Sequence, residues 1–208
     1  MSLDAYKARL HAGQPGAPLV FAFHGTGGDE NQFFGLARDV LPDASIVSPR
    51  GDVLEGGAAR FFRRTGEGVY DMDDLAMRTE AMIGFIEAHK ATNPSAPVYG
   101  FGYSNGANIL ASVVMQRPDL FDRVGLLHPL IPWEPQPVDG LTGKAVLVTA
   151  GQRGPICPWP LSERLISWFG DQGADVTTEI HGGGHELRQE EVTALAKLLL
   201  QDEVANAA

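Results

Sequence analysis

The clearest chemical signal in the sequence is a serine between two glycines. Residues 102–106 read GYSNG, after an apolar run at residues 97–101 and before a stretch with helical character. In a G-x-S-x-G turn between a strand and a helix, small residues at −2 and +2 let the backbone close up and expose the serine hydroxyl. N–H groups at the start of the helix can then stabilise an anion that forms on attack. Ser104 is therefore the candidate nucleophile, and the alternative is a chance turn rich in glycine and serine.

A serine hydroxyl becomes a good nucleophile only when a base takes its proton. His185 is the candidate base, because it lies in the loop at residues 182–186 (GGGHE) between the last apolar run and the last helical stretch. His181 is the alternative. The two histidines have the i, i+4 spacing of a metal-ligand pair on a helix, but the three glycines between them argue against a helix. The sequence therefore predicts no metal and no cofactor.

Residues 24–28 (HGTGG) end the first clear apolar run and are candidates for binding an oxyanion. We predict that the backbone N–H groups of Thr26 and Asn105 hold the oxyanion, and that His24 holds a turn. The alternative, a phosphate-binding loop, would need the full G-x-G-x-x-G spacing or a P-loop lysine, and the sequence has neither.

Short apolar runs that alternate with amphipathic stretches predict the elements that position these residues. The alternation is typical of an α/β fold, with a mostly parallel sheet covered by helices on both faces. Residues 1–208 are expected to form one domain, in which residues 130–143 are too few for a large lid. Residues 49–71 are expected to be irregular. The predicted strands are 18–23, 45–48, 97–101, 124–127, 144–149 and 176–180, and the predicted helices are 31–41, 73–92, 105–116, 161–172 and 188–204.

Composition excludes several classes of protein. The chain has 208 residues with 16 basic and 26 acidic side chains, a net charge of −10, which argues against nucleic acid as a partner. Cys157 is the single cysteine, so we expect no intrachain disulfide and treat it as a small buried hydrophobe. No signal-peptide pattern and no apolar run of about 18 residues is present, which predicts a cytoplasmic protein without membrane insertion. The sequence allows a homodimer.

Four stretches resemble a known family: residues 24–30 (HGTGGDE), 61–64 (FFRR), 102–108 (GYSNGAN) and 127–129 (LHP). They are similar to α/β-hydrolases of the phospholipase/carboxylesterase family, in particular small bacterial hydrolases of MhqD type, and the similarity extends over about residues 18–200. The resemblance implies an α/β-hydrolase fold and a serine carboxylesterase that cleaves small soluble esters through an acyl-enzyme.

The sequence departs from this family at the third member of the catalytic triad. The family acid lies in a G-x-x-D-P-I-C turn, whereas residues 151–157 read GQRGPIC and Gly154 stands at the place of the aspartate. We therefore expect a slow enzyme, either a Ser–His dyad with water at His185 Nδ1 or a site in which Glu134 supplies the acid. Glu186 adjoins the base, but its side chain should diverge. The rival function is a catalytically impaired protein that binds a small ligand without efficient turnover.

Arginines are concentrated in the irregular segment, although the whole chain is acidic. A local positive field there would suit an anionic substrate, with Arg50, Arg63 and Arg64 as candidate contacts. His128 is a further candidate to line the pocket, and its alternative is an ordinary buried histidine. Alternatively, these arginines and Arg60 only stabilise the loop through ion pairs with acidic neighbours, namely Glu67, Asp71, Asp73 and Asp74.

Overall fold

A seven-stranded sheet forms the centre of the computed structural model, which describes residues 2–201. The elements are β1 (Ala8–His11), β2 (Leu19–Phe23), α1 (Phe34–Val40), β3 (Ser45–Pro49), β4 (Val53–Glu55), β5 (Ala58–Arg60), β6 (Arg64–Gly66), β7 (Val69–Tyr70), α2 (Met72–Lys90), β8 (Val98–Tyr103), α3 (Asn105–Gln116), β9 (Arg123–Leu127), β10 (Ala145–Gly151), α4 (Trp159–Asp171), β11 (Asp175–His181) and α5 (Gln189–Leu200). The strand order is β1-β3-β2-β8-β9-β10-β11. Within this seven-stranded sheet, β1 pairs antiparallel to its neighbour and all other pairs are parallel. The predicted α/β class with a mostly parallel sheet and no large lid is confirmed.

The sheet is buried on both faces, as an apolar parallel sheet requires. Every residue of β2 is buried. Phe21 and Phe23 lie in one hydrophobic core with side chains of α2, α3 and α4, whereas Val20 and Ala22 lie in a second core with side chains of α1 and α5. Because successive side chains of a strand point to opposite faces, one short strand anchors both layers of helices.

Two regions differ from the sequence-based prediction. The edge strand β1 was not predicted, because its side chains are only partly buried and it lacks an apolar run. Residues 49–71 are not irregular: β4 pairs with β5, and β6 pairs with β7, in two short antiparallel hairpins. The end of the last predicted helix, residues 202–204, lies outside the described residues. Within residues 2–201, no helix combines the length and the apolar character needed to cross a membrane.

The strands of the sheet place the candidate residues at one edge. The strands β2, β8, β9, β10 and β11 run parallel, so their carboxyl ends meet on the same side of the sheet. The segments that follow four of these strands carry Thr26, Ser104, Gly154 and His185. In open α/β sheets this edge is where ligands bind.

Candidate active site

Ser104 occupies a strained turn between β8 and α3. Its φ is 53° and its ψ is −118°, a backbone conformation that side chains other than glycine rarely adopt. A Cβ atom at Gly102 would lie 2.6 Å from the backbone of Gly106, and one at Gly106 would lie 2.4 Å from the carbonyl oxygen of His24. Strand and helix therefore cross so closely that both flanking positions require glycine. The N–H of Ser104 donates to Leu127 O at 2.8 Å and ties the turn to the neighbouring strand.

His185 lies against the serine. Its Nε2 is 2.9 Å from Ser104 Oγ, so Nε2 can accept the hydroxyl proton when the ring carries its own proton on Nδ1. Burial, and to a smaller extent the nearby His128 ring, lower the pKa of His185 to about 4. The imidazole is therefore neutral at neutral pH, which is the state that a general base needs.

Tyr103 fixes the loop that carries the base. Its hydroxyl donates to His185 O at 2.6 Å, and its ring stacks on the imidazole with the two centroids 5.3 Å apart. Sequence reasoning missed this role, although Tyr103 is the variable residue that directly precedes the serine in the GYSNG turn.

A cysteine thiol lies where a carboxylate would be expected. Cys157 Sγ is 3.6 Å from His185 Nδ1 and 3.5 Å from His128 O. Burial raises the pKa of Cys157 to about 12, so this side chain is a neutral thiol. It can donate weakly to the carbonyl of His128 and accept weakly from Nδ1–H, but it supplies no negative charge. Within residues 2–201, no carboxylate lies within hydrogen-bond distance of His185 Nδ1.

The acids that the sequence offered as substitutes lie elsewhere. Glu134 is exposed in the segment after β9 and does not line the cavity around Ser104. The side chain of Glu186 turns away from the imidazole, as expected, because it accepts from Gly184 N at 2.9 Å and from Arg188 at 2.7 Å. The geometry therefore offers Ser104 and His185 as a pair without an acid.

The loop that contains Gly154 and the loop that contains His185 are held together by their backbones. Gln152 N donates to His181 O and Arg153 N donates to Gly183 O, both at 2.9 Å. These bonds continue the pairing of β10 with β11 beyond the ends of the strands. A Cβ atom at Gly154 would lie 3.2 Å from the carbonyl carbon of Gly184, the residue before the base. A side chain at position 154 would therefore start beside the backbone that leads into His185.

The two predicted oxyanion donors flank the serine. Asn105 is the first residue of α3, so its N–H has no intrahelical acceptor. Its side-chain Oδ1 accepts from Phe61 N at 2.7 Å. Thr26 lies in a turn closed by Gly28 N donating to Gly25 O at 3.0 Å.

His24 holds the base of this turn. Its Nδ1 lies 2.7 Å from Gly25 O, and Gly51 N donates to its Nε2 at 2.9 Å. Burial lowers the pKa of His24, which is consistent with a neutral ring that donates through one nitrogen and accepts through the other.

A cavity of about 320 Å³ opens above the serine, with both hairpins of residues 53–70 beside it. Arg64 lines this cavity, but Arg50 and Arg63 do not. Arg63 pairs with Asp71 and Asp74, and Arg50 lies 3.9 Å from Glu30. The geometry therefore does not support a contact of Arg50 or Arg63 with substrate. The lining comprises Thr26, Arg60, Arg64, Glu67, Gly68, Tyr70, Tyr103, Ser104, Asn105, Asn108, Leu130, Ile156, Cys157 and His185.

Similarity to known proteins agrees with this arrangement. The chain is 38% identical over 175 residues to a Bacillus subtilis (strain 168) protein named "Putative hydrolase MhqD", and the match covers 83% of this chain and 88% of that protein. The chain belongs to the α/β-hydrolases of the phospholipase/carboxylesterase family. No family model matches the chain.

Two solved structures resemble this hydrolase over nearly its whole length. One is Atu2452 of Agrobacterium tumefaciens str. C58, a protein of unknown function, with 51% identity, a TM-score of 0.93 and coverage of 97% of this chain and 98% of that chain. The other is the Bacillus cereus carboxylesterase, with 34% identity, a TM-score of 0.87 and coverage of 94% of each chain. The family that the sequence motifs suggested is thus confirmed.

Behind the active site, the hydrolase has a buried cluster of two histidines and a glutamate. His128 Nε2 lies 2.7 Å from Glu191 Oε1, and His181 Nε2 lies 3.3 Å from Glu191 Oε2. Burial alone would raise the pKa of Glu191, but hydrogen bonds to His128, Thr149 and a backbone N–H hold it below its usual value. His128 is buried and is not among the residues that line the cavity, so the geometry favours its interpretation as a buried histidine.

Three donor atoms of this cluster lie within 4.8 Å of one another, which is close enough for a metal ion. The carboxylate already contacts both imidazoles, at 2.7 and 3.3 Å, so the cluster is also explained without an ion. Glu191 was not singled out from the sequence. A capping-box pattern in the sequence could have drawn attention to Glu191. It is the third residue of α5, and its Oε2 accepts from Arg188 N at 2.7 Å.

Proposed function

We propose that this hydrolase is a serine carboxylesterase that cleaves small carboxylic esters through an acyl-enzyme. The observation that carries the proposal is the 2.9 Å contact between Ser104 Oγ and His185 Nε2 at a strained turn that opens into a cavity. A neutral imidazole against a hydroxyl is the arrangement that nucleophilic acyl transfer requires.

In the first half of the reaction, Ser104 Oγ attacks the ester carbonyl carbon while its proton passes to His185 Nε2. The carbonyl oxygen becomes an anion that the N–H groups of Thr26 and Asn105 stabilise. When the intermediate collapses, the bond to the alcohol oxygen breaks, and the imidazolium returns its proton to the departing alcohol. The acyl group remains as an ester on Ser104.

In the second half, a water molecule attacks the acyl-enzyme and gives one proton to His185 Nε2. Collapse of the second intermediate breaks the bond to Ser104 Oγ, which recovers its proton from the imidazolium. The products are the carboxylic acid and a free enzyme.

The proposal includes slow turnover, because the imidazolium that forms in both halves lacks a carboxylate partner. In serine proteases, replacing the aspartate of the triad costs on the order of 10⁴ in turnover, yet the oxyanion hole and substrate binding still support catalysis above the rate in water. The Cys157 thiol is a weak acceptor for Nδ1–H and contributes no charge.

Labelling with a fluorophosphonate, combined with hydrolysis of 4-nitrophenyl acetate, tests the proposal. We expect an adduct on Ser104 and measurable turnover, with both lost in Ser104→Ala. Ser112→Ala is the control, since this serine lies in α3 and hydrogen-bonds to Thr79.

The missing carboxylate also supports a second candidate, a ligand-binding protein without turnover. Absence of both adduct and turnover in the folded wild-type protein would favour that candidate.

A further inference from the structure

Arg60 is a buried cation in the wall of the active-site cavity. Its side chain is 4% exposed, and the residue lines the cavity together with Thr26 and Ser104. Its Nη1 donates to Thr26 Oγ1 at 2.8 Å, and its Nε donates to Phe62 O at 3.3 Å. The guanidinium is therefore fixed beside one of the two proposed oxyanion donors.

Part of this guanidinium has no protein partner. A guanidinium carries five N–H donors in a planar fork, and the two bonds above use two of them. Within the part of the chain that the structure describes, Nη2 of Arg60 makes no hydrogen bond to another residue. Buried charges in proteins are normally paired, and Arg60 has Glu55 3.4 Å from its Nε. Its remaining N–H donors are available to a further acceptor in the cavity that Arg60 lines.

The counter-ion of Arg60 is committed to another arginine. Glu55 lies 3.4 Å from Arg60 Nε, but the same carboxylate accepts from Arg64 at 2.8, 3.0 and 3.1 Å. Glu67 also pairs with Arg64, at 2.9 Å. Arg64 is thus held by two carboxylates, whereas Arg60 shares one at a longer distance. Burial and the charge of Arg64 both lower the pKa of Arg60, so its charged form would gain from a further anion.

We infer that Arg60 binds a carboxylate that the substrate carries in addition to its ester, so that the preferred substrates are half-esters of dicarboxylic acids. This inference rests on the proposed esterase function and names its substrate class. A carboxylate matches the two parallel donors of a guanidinium fork, and such charge-assisted pairs are stronger than neutral hydrogen bonds. Among the described residues that line the cavity, Glu67 is the one carboxylate; it pairs with Arg64 at 2.9 Å and acts on Arg60 only as a weaker, more distant attraction.

Monomethyl glutarate and dimethyl glutarate are a matched pair of substrates, because they differ only in the free carboxylate. With hydrolysis followed by release of acid, we expect the wild-type enzyme to prefer the monoanion by about tenfold or more in kcat/KM. Arg60→Gln should abolish this preference, because kcat/KM should fall about tenfold more for the monomethyl ester than for the dimethyl ester. Arg117→Gln, which removes a half-buried arginine that pairs with Glu87 and Asp119 and does not line the cavity, should keep the wild-type preference.

Glu55→Gln gives the opposite test and retains Arg60. Without its shared counter-ion, Arg60 should bind the anion more tightly, so the preference for the half-ester should rise several-fold. A purely structural role of Arg60 does not predict this rise. Equal losses on both esters in Arg60→Gln, no wild-type preference, or an unchanged preference in Glu55→Gln would each overturn the inference.

Binding of glutarate separates this inference from the proposed function. In the wild-type protein and in Ser104→Ala, we expect glutarate to bind by calorimetry, and in Arg60→Gln we expect at least tenfold weaker binding. If no ester is hydrolysed but glutarate still binds through Arg60, the esterase function fails and the anion site stands. If esters are hydrolysed but glutarate binds equally to all three proteins, the anion site fails and the esterase function stands.

Discussion

Gly154→Asp would return a carboxylate to the side of the base that now faces a thiol. A Cβ atom at position 154 would lie 3.2 to 3.5 Å from the backbone of Gly184, which is tight by a few tenths of an ångström. The loop must therefore shift slightly to accept the new side chain. Because Gly184 directly precedes His185, the new carboxylate would lie close to Nδ1, where Cys157 Sγ is now 3.6 Å away.

The size of the expected effect follows from the basicity of His185. Its pKa is lowered from 6.5 to about 4. A carboxylate that restores the usual value would stabilise the imidazolium by about 3 kcal/mol, at ~1.36 kcal/mol for each pKa unit. Since the proton is only partly transferred in the transition state, about half of this energy, or roughly tenfold in rate, is the smallest gain that we expect. Serine proteases lose a factor of ~10⁴ in turnover when the acid of the triad is replaced, and this factor is the largest gain in rate that we expect.

The assay is kcat/KM for 4-nitrophenyl acetate between pH 4 and pH 8. The base works only when unprotonated, so activity falls as the pH drops through the pKa of His185. In the wild-type enzyme this fall should lie near pH 4, and in Gly154→Asp it should move to between about pH 6 and pH 7. Gly154→Asn adds the same bulk without the charge and should show neither the higher rate nor the shifted profile. If Gly154→Asp matches Gly154→Asn in both rate and profile, the explanation of slow turnover by a missing carboxylate is wrong.

Three further predictions concern the parts that hold the site. Ser104→Gly should abolish turnover but raise the free energy of unfolding by about 1 kcal/mol, measured by urea denaturation, because glycine adopts a positive φ without strain; equal or lower stability would contradict the strain. Glu191→Gln should lower the free energy of unfolding by about 3 kcal/mol at pH 7, because it removes a buried carboxylate that contacts two imidazoles, whereas the exposed neighbour Glu190→Gln should change it by less than about 0.5 kcal/mol. The folded pKa of Glu191 is lowered, so its contribution is present above about pH 4.5 and is lost on acidification; a deficit that stays constant from pH 7 to pH 3 would argue against this role. Cys157 should resist iodoacetamide at pH 8 in the folded protein, since burial raises its pKa to about 12, and react once urea unfolds the chain; fast alkylation of the folded protein would refute its assignment as a buried thiol.

The sequence predicted the parts of this fold in which one physical requirement dominates. Strands buried on both faces need continuous apolar residues, so runs such as the one that became β2 could be found directly. The turn at Ser104 could be placed because Gly102 and Gly106 are required by backbone contacts of 2.4 to 2.6 Å. Such contacts tolerate no side chain, and the glycines therefore remain visible in the sequence.

The hairpins of residues 53–70 were missed although they carry a local signal. Gly56 and Gly57 both have positive φ, as in the two-residue turn that joins twisted antiparallel strands. The strands themselves have only two or three residues each. No apolar alternation can develop over so few positions, so the segment is recognised only from its turns.

Partners of polar side chains were the least predictable part of the site. Arg60 is the last residue of β5, in a segment that contains three other arginines. Arg60 and Arg64 line the cavity, whereas Arg63 pairs with Asp71. The order of these residues in the sequence does not show this difference. Glu191 contacts His128, although the two residues are 63 positions apart in the sequence. Such contacts depend on tertiary packing, which brings distant segments together without a local pattern.

Backbone hydrogen bonds join Gln152 and Arg153 to the loop before His185. This pairing bears on how the protein could evolve. Because main-chain bonds hold the imidazole-bearing loop, the fold does not depend on an acidic side chain to keep the base beside the nucleophile. An aspartate at position 154 is not needed for this architecture, and since glycine and aspartate codons can differ by a single base, one base change would introduce it. Residue 154 can therefore vary while main-chain bonds keep His185 beside Ser104.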